Sequence, residues 1–193
     1  MFPFIVLLLL SSWPLNAQMA TKRTTKNDIK VTLLSLGSGS SRFTYERAFS
    51  PKHSTELTVG VIGWGWDFIN HTDSKGMLYK AAFKWNLIPQ KNANSWLAGF
   101  YVKPEVVWAL FDYQPKALPD GSSAASPGHT NQVALLAECG YELVLKWFVF
   151  DAYTGMGPSF GTGNANNYFH SFMLYPHHWP LAFTAGFRIG VAF

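Results

Sequence analysis

Cysteine is nearly missing: Cys139 is the single one among 193 residues, which excludes an internal disulfide framework and any multi-cysteine zinc or iron–sulfur site. Charge is also scarce. Asp, Glu, Lys and Arg supply 13% of the chain, about half the share of an ordinary soluble domain. The basic excess, 15 against 11, is too small for a nucleic-acid-binding face. The stretch Gly37-Ser-Gly-Ser-Ser is followed by no Lys-Ser/Thr and no helix signal, so it reads as a hairpin connection and not a phosphate loop. After the N-terminus no segment approaches the roughly 18 consecutive apolar residues of a membrane-spanning helix.

What the chain does have is 48% hydrophobic and 17% aromatic residues, at a length that fits one domain. Phe4 to Leu10 form an unbroken apolar run, followed by Pro14 and then the small Ala17. This pattern predicts a signal peptide over residues 1–17, cleaved after Ala17. Residues 18–28 are expected to form a short periplasmic tether. With no cysteine beside the cut, no lipid is attached there.

An exported chain this apolar that lacks a spanning helix is either a soluble periplasmic domain or a membrane barrel, because lipid admits only helices and closed barrels. Periodicity favours the barrel. From Leu181 to Phe193, the residues Leu181, Phe183, Ala185, Phe187, Ile189, Val191 and Phe193 take one face. Ala182, Thr184, Gly186, Arg188, Gly190 and Ala192 take the other. One face is large and apolar, the other small or charged, over a length well beyond the usual strand of about 5–6 residues. The same alternation recurs upstream and predicts eight strands at about 29–36, 42–50, 55–66, 77–88, 96–112, 131–146, 148–160 and 181–193. Pro104 is expected to mark a bulge in the fifth. Cys139 falls on the apolar face of the sixth, pointing at lipid. The expected fold is all-β: an eight-stranded antiparallel up-and-down transmembrane barrel over residues 29–193, eight being the smallest usual number for such barrels.

The connections support that reading, since these barrels pair short periplasmic turns with longer external loops. With the N-terminus in the periplasm, the external links are 37–41, 67–76, 113–130 and 161–180, and the periplasmic ones 51–54, 89–95 and the neighbourhood of Trp147. Trp64, Trp66, Tyr113 and Trp179 then fall at the external rim and Trp96 and Trp147 at the periplasmic rim, where aromatic belts form. The inward faces collect Lys30, Lys80, Lys84, Lys103, Lys146 and Arg188 against Glu46, Glu56, Glu105, Glu138, Glu142 and Asp151. An eight-stranded barrel is just wide enough for side chains to fill it, so these charges are expected to pair and plug the lumen. A proton or ion relay through the same carboxylates needs water-filled space that eight strands scarcely leave.

The segments Lys30-Val-Thr-Leu-Leu-Ser-Leu and Phe43-Thr-Tyr-Glu-Arg-Ala-Phe-Ser-Pro-Lys-His-Ser-Thr-Glu-Leu-Thr-Val-Gly resemble a family of small bacterial outer-membrane β-barrels of unknown function. Tyr45-Glu46-Arg47-Ala48 is the most specific part of a similarity extending from about Asp28 to Phe193. Terminal Phe193, with apolar residues at alternate preceding positions, also resembles the signal read by the outer-membrane insertion machinery. The resemblance implies a fold and a location but no catalytic residues.

Other chemistry is weaker. His71, His129, His170, His177 and His178 lie in predicted external loops, without the spacing that places two ligands on one metal, so no metal site is expected. An outer-membrane lipid-modifying enzyme is the catalytic alternative, built on His170-Ser171 with Glu142 or Asp151 as orienting acid. Adjacent residues on a strand point to opposite faces, and His170-Ser171 does not match the His-x-Ser arrangement of lipid A deacylases. No cofactor is expected. Loops on a rigid scaffold commonly carry recognition. The aromatics Phe111, Tyr113, Tyr168, Phe169, Phe172, Tyr175 and Trp179 therefore point to a partner membrane protein or surface glycan, or else pack on one another above the membrane. The expected surroundings are outer-membrane lipid and lipopolysaccharide. A soluble periplasmic ligand-binding β-barrel is the runner-up fold and needs polar outer faces, which the fifth, sixth and eighth strands lack.

Overall fold

The structure is a computed structural model that describes residues 24–67, 72–90, 95–115, 127–162 and 181–193. Its strands are β1 (Asn27–Thr32), β2 (Ser38–Ser50), β3 (His53–Asp67), β4 (Thr72–Pro89), β5 (Gly99–Pro115), β6 (Gly128–Leu145), β7 (Phe148–Thr162) and β8 (Leu181–Ala192). One short helix, α1 (Leu33–Gly37), lies between β1 and β2. Each strand pairs antiparallel with the next, and β8 returns to β1 from Asp28↔Ala192 to Thr32↔Arg188. The all-β, eight-stranded, antiparallel up-and-down barrel expected from the alternation is therefore the architecture of the chain. The terminal residue completes the closure: Phe193 N donates to Asn27 O at 2.8 Å and Asn27 N to Phe193 O at 3.1 Å. No helix among the described residues is long and apolar enough to cross a membrane, which says nothing of strands.

Side chains alternate along every strand because successive Cβ atoms point to opposite sides of a pleated sheet. In β6 the pattern of buried and exposed residues alternates from His129 to Val144 almost without a break. The outer face is apolar: Leu57, Leu87, Phe160, Ile29 and Leu135 are about half exposed or more. Exposed charges among the described residues stay at the rims. Lys26, Arg47, Lys52 and Lys146 lie at the end with the short turns, and Asp73, Lys75 and Asp112 at the opposite, loop end.

Several boundaries differ from the expectation. β1 stops at Thr32, because Leu33-Leu34-Ser35-Leu36 breaks the period of two and turns into α1, whose Ser35 Oγ donates to Thr32 O at 2.8 Å. β1 begins at Asn27 instead of Ile29, taking Asp28 out of the tether and into the wall. β4, β5 and β6 run further toward the loop end than their alternation suggested, since the ladder continues through Asp73↔Gln114 and Asp112↔His129. Pro104 causes no register shift. The irregularity in that seam lies between Asn86 and Ile88.

Residues 95–98, expected to belong to a turn and the start of the fifth strand, instead fold across the turn-end mouth. Leu97 and Ala98 are fully buried there with Ala48, Val144, Val149 and Ala192. The chain enters β5 through Gly99 at φ +141°, where a Cβ would stand 2.3 Å from Ile88 O. Only glycine fits so close an approach.

Candidate functional site

Three layers fill the barrel. The apolar cork around Leu97 closes the turn end. A second apolar layer, Ile62, Leu78, Val107, Phe111, Leu136 and small alanines, fills the half toward the loops. Between them lies the charged layer. Phe111, expected among the loop aromatics, stands in the second apolar layer on the inner face of β5, because the strand continues past it.

The charged layer contains eleven of the twelve side chains assigned to the interior. Lys30 Nζ sits among five carboxylates: Glu46 in the closest contact, Glu142 at 2.8 Å, Glu56 at 3.2 Å, Asp28 at 3.3 Å and Asp151 at 3.6 Å. Lys84 joins Glu46 at 2.8 Å and Glu142 at 2.6 Å. Toward the loops, Lys103 binds Glu56, with Glu105 and Glu138 each at 3.2 Å. Lys80 binds Glu105 at 2.6 Å. Arg188 bridges the two halves, with Nη1 3.1 Å from Glu56 and Nε 2.9 Å from Asp151. Tyr101 Oη donates to Asp151 at 2.7 Å and Ser54 Oγ to Glu46 at 2.5 Å.

Lys146 is the exception and a correction. The parity of Glu138 and Glu142 carries to Val144, but Lys146 falls one step later in the two-residue turn between β6 and β7, exposed and at φ +59°. Two buried charges take part that the inward list lacked. Asp28 is fully buried on β1, and Arg42 on β2 shares the face of Thr44 and Glu46, with Nε donating to Ser40 Oγ at 3.3 Å. The parity of Glu46 already placed Arg42 inside. Among the described residues the interior thus holds six cations and seven acids.

Tyrosines and glycines form a second inner pattern. Tyr101, Gly140, Tyr153 and Gly186 stand side by side across β5, β6, β7 and β8. A Cβ on Gly140 would lie 2.5 Å from Tyr101 Oη, and one on Gly186 2.4 Å from the Tyr153 ring. Each glycine therefore makes room for a ring that lies flat against the wall. The rings face cations: Lys84 Nζ is 4.4 Å from the Tyr101 centroid and the Arg188 guanidinium 4.2 Å from that of Tyr153. Such contacts favour a cation out of water.

This arrangement holds ammonium and guanidinium groups where a metal would need open coordination. Asp28, Glu46 and Glu142 bring ligand atoms within 4.8 Å of one another, as do Glu56, Glu142 and Asp151. Lys30 or Lys84 already bonds to members of both sets. The space left around Arg42, Lys80, Glu105, Tyr153 and Arg188 is about 190 Å³, none of it wide enough for a water molecule.

Of the residues assigned to external-loop recognition, Tyr168, Phe169, Tyr175 and Trp179 lie outside the described residues, as do His71, His170, Ser171, His177 and His178. The backbone of Tyr113 pairs with Gly128 at the end of β5. His129 pairs with Asp112 at 2.7 Å in an exposed position. Phe193 is half exposed at the turn-end rim. Compared with protein-family models, with curated proteins and with solved structures, the chain matches none.

Proposed function

We propose that this chain is an integral outer-membrane β-barrel with a sealed lumen, serving a structural or surface-interaction role through its long connections 113–130 and 161–180 and carrying out no catalysis. The observation that carries this reading is the inversion of polarity: buried charges fill the inside while Ile29, Leu57, Leu87, Leu135 and Phe160 cover the outside. A soluble barrel with that outer face would present an apolar surface far beyond the few hundred Å² a monomer usually tolerates. A lipid-facing barrel requires it. Strands β2 to β8 run from 12 to 18 residues, which covers the roughly 9–11 residues a tilted strand needs to cross the hydrocarbon.

In this reading the turn end faces the periplasm and the loop end the exterior. The lipid and lipopolysaccharide of the outer membrane are the surroundings, and Phe193 is the mark for the insertion machinery. A partner membrane protein or a surface glycan is met by the loops. The two acids considered as catalytic orienters are committed elsewhere, Glu142 to Lys30 and Lys84 and Asp151 to Arg188 and Tyr101, which supports a structural role.

Tryptophan fluorescence in bilayers of lipid brominated along its chains tests the reading. Trp85 and Trp108, both exposed on the outer face, lose emission on contact with bromine if lipid surrounds the barrel. Unchanged emission relative to unbrominated lipid contradicts it.

A further inference from the structure

The end of the barrel with the short turns carries exposed charge of one sign. Among the described residues, Lys26, Arg47, Lys52 and Lys146 are exposed there, with no exposed Asp or Glu beside them. Residues 18–26 and 90–98, the chain segments that lead into this end, contain no Asp or Glu. The loop end differs, with Asp73 and Asp112 beside Lys75.

The four cations follow one arc of the rim. Lys146 stands in the turn between β6 and β7, where Trp147 O accepts from Ala192 N of β8 at 2.7 Å. Asn27 N donates to Phe193 O at 3.1 Å, and Ala48 N donates to Lys26 O at 2.7 Å, which carries the arc from β8 through β1 to β2. Arg47 pairs across the sheet with Asn27 and Thr55, and Lys52 lies in the turn from β2 to β3. Arg47, Lys52 and Lys146 form no ion pair among the described residues. Two of the cations also border the apolar wall. Arg47 lies on the outer face of β2 between Tyr45 and Phe49, and Lys146 lies between Leu145 and Trp147, all four of them exposed. A side chain on the outer face stands out from the sheet, so Arg47 projects sideways from the barrel and not over its mouth.

We infer that this arc binds the anionic headgroups of phospholipids in the leaflet that surrounds the turn end. Guanidinium and ammonium groups hold phosphate oxygens through charge-assisted hydrogen bonds, and basic clusters at a membrane surface attract anionic lipid. A zwitterionic headgroup brings a cation as well, and the rim offers no acidic side chain to receive it. The occupant is lipid and not a soluble acidic partner, because a barrel seated in a bilayer has only lipid beside Arg47. The inference rests on the proposed membrane reading, and the assignment to the periplasmic leaflet on the proposed orientation.

The test is electron paramagnetic resonance of the barrel in phosphatidylcholine bilayers that contain a trace of chain-labelled phosphatidylglycerol or, separately, chain-labelled phosphatidylcholine. The fraction of each label immobilised at the barrel surface reads its preference for the wall. The expected result is a preference for phosphatidylglycerol of about twofold or more, lost at about 1 M salt, where screening acts within about 3 Å. Joint substitution of Arg47→Gln, Lys52→Gln and Lys146→Gln should bring the ratio of the two labels near one, whereas Lys75→Gln at the loop end should leave it unchanged. Equal immobilisation of the two labels by the wild type, a preference that persists at high salt or in the triple variant, or one lost equally in Lys75→Gln overturns the site. The wild-type ratio and its salt dependence decide the matter even where the triple variant does not fold. Immobilisation of neither label overturns the membrane reading and the site together. Equal immobilisation of both removes the headgroup site alone.

Discussion

Lys30 touches five carboxylates and Lys80, among the described residues, one, so the two lysines differ in what their removal leaves behind. Breaking a buried pair by deleting one partner costs about 3–5 kcal/mol, because the other charge stays buried and uncompensated. Lys30→Met should lie at or beyond the top of that range and Lys80→Met near its bottom, read from urea unfolding of the folded band in detergent. Equal losses would contradict the network as described. Lys146→Met should change stability by no more than about 0.5 kcal/mol, the usual range for a surface substitution. A loss of several kcal/mol would return Lys146 to the interior. Most of the interior was legible because Glu138 and Glu142, or Lys80 and Lys84, repeat with the parity of a strand. Parity fails where a strand ends, and Lys146 was misplaced for that reason. Asp28 was missed because the wall begins two residues earlier than the apolar pattern does.

Elements pack here by complementary size across seams. Gly140 and Gly186 yield the space that Tyr101 and Tyr153 occupy, and backbone crowds the same spot: Ala152 O would be 2.6 Å from a Cβ on Gly140. Gly140→Val and Gly186→Val should each cost about 1–3 kcal/mol, the range for overpacking. Ala152→Val, on the exposed face of β7, should stay within about 0.5 kcal/mol. The same unfolding assay checks all three, and comparable losses from inner and outer substitutions would contradict the assignment of faces. The existence and type of the strands were readable because alternation over a dozen residues, as in β8, has no competing period. Their ends were not. Past Gly76 and Phe111 the ladder runs on through Asp73, Ser74, Lys75 and Asp112, and the apolar alternation no longer marks the strand. The cork of Leu97 and Ala98 escaped notice because a buried loop segment has no period at all.

On the scale of the molecule, two apolar layers flank the ion network, and the space around Arg42, Lys80, Glu105, Tyr153 and Arg188 is too narrow for water, as the proposed sealed lumen requires. Planar bilayers containing the wild-type barrel should show no steady conductance above that of lipid alone, and a stable, voltage-dependent conductance would contradict the sealed lumen. The central claim, that this inside-out barrel sits in the outer membrane, is tested most directly by separating inner and outer membranes and running the outer fraction unboiled and boiled on a cold detergent gel. The expected result is recovery in the outer membrane and a band whose mobility shifts on boiling as the closed ladder from β1 to β8 comes apart. Recovery in the soluble periplasm would contradict it and make a soluble ligand-carrying barrel the leading description.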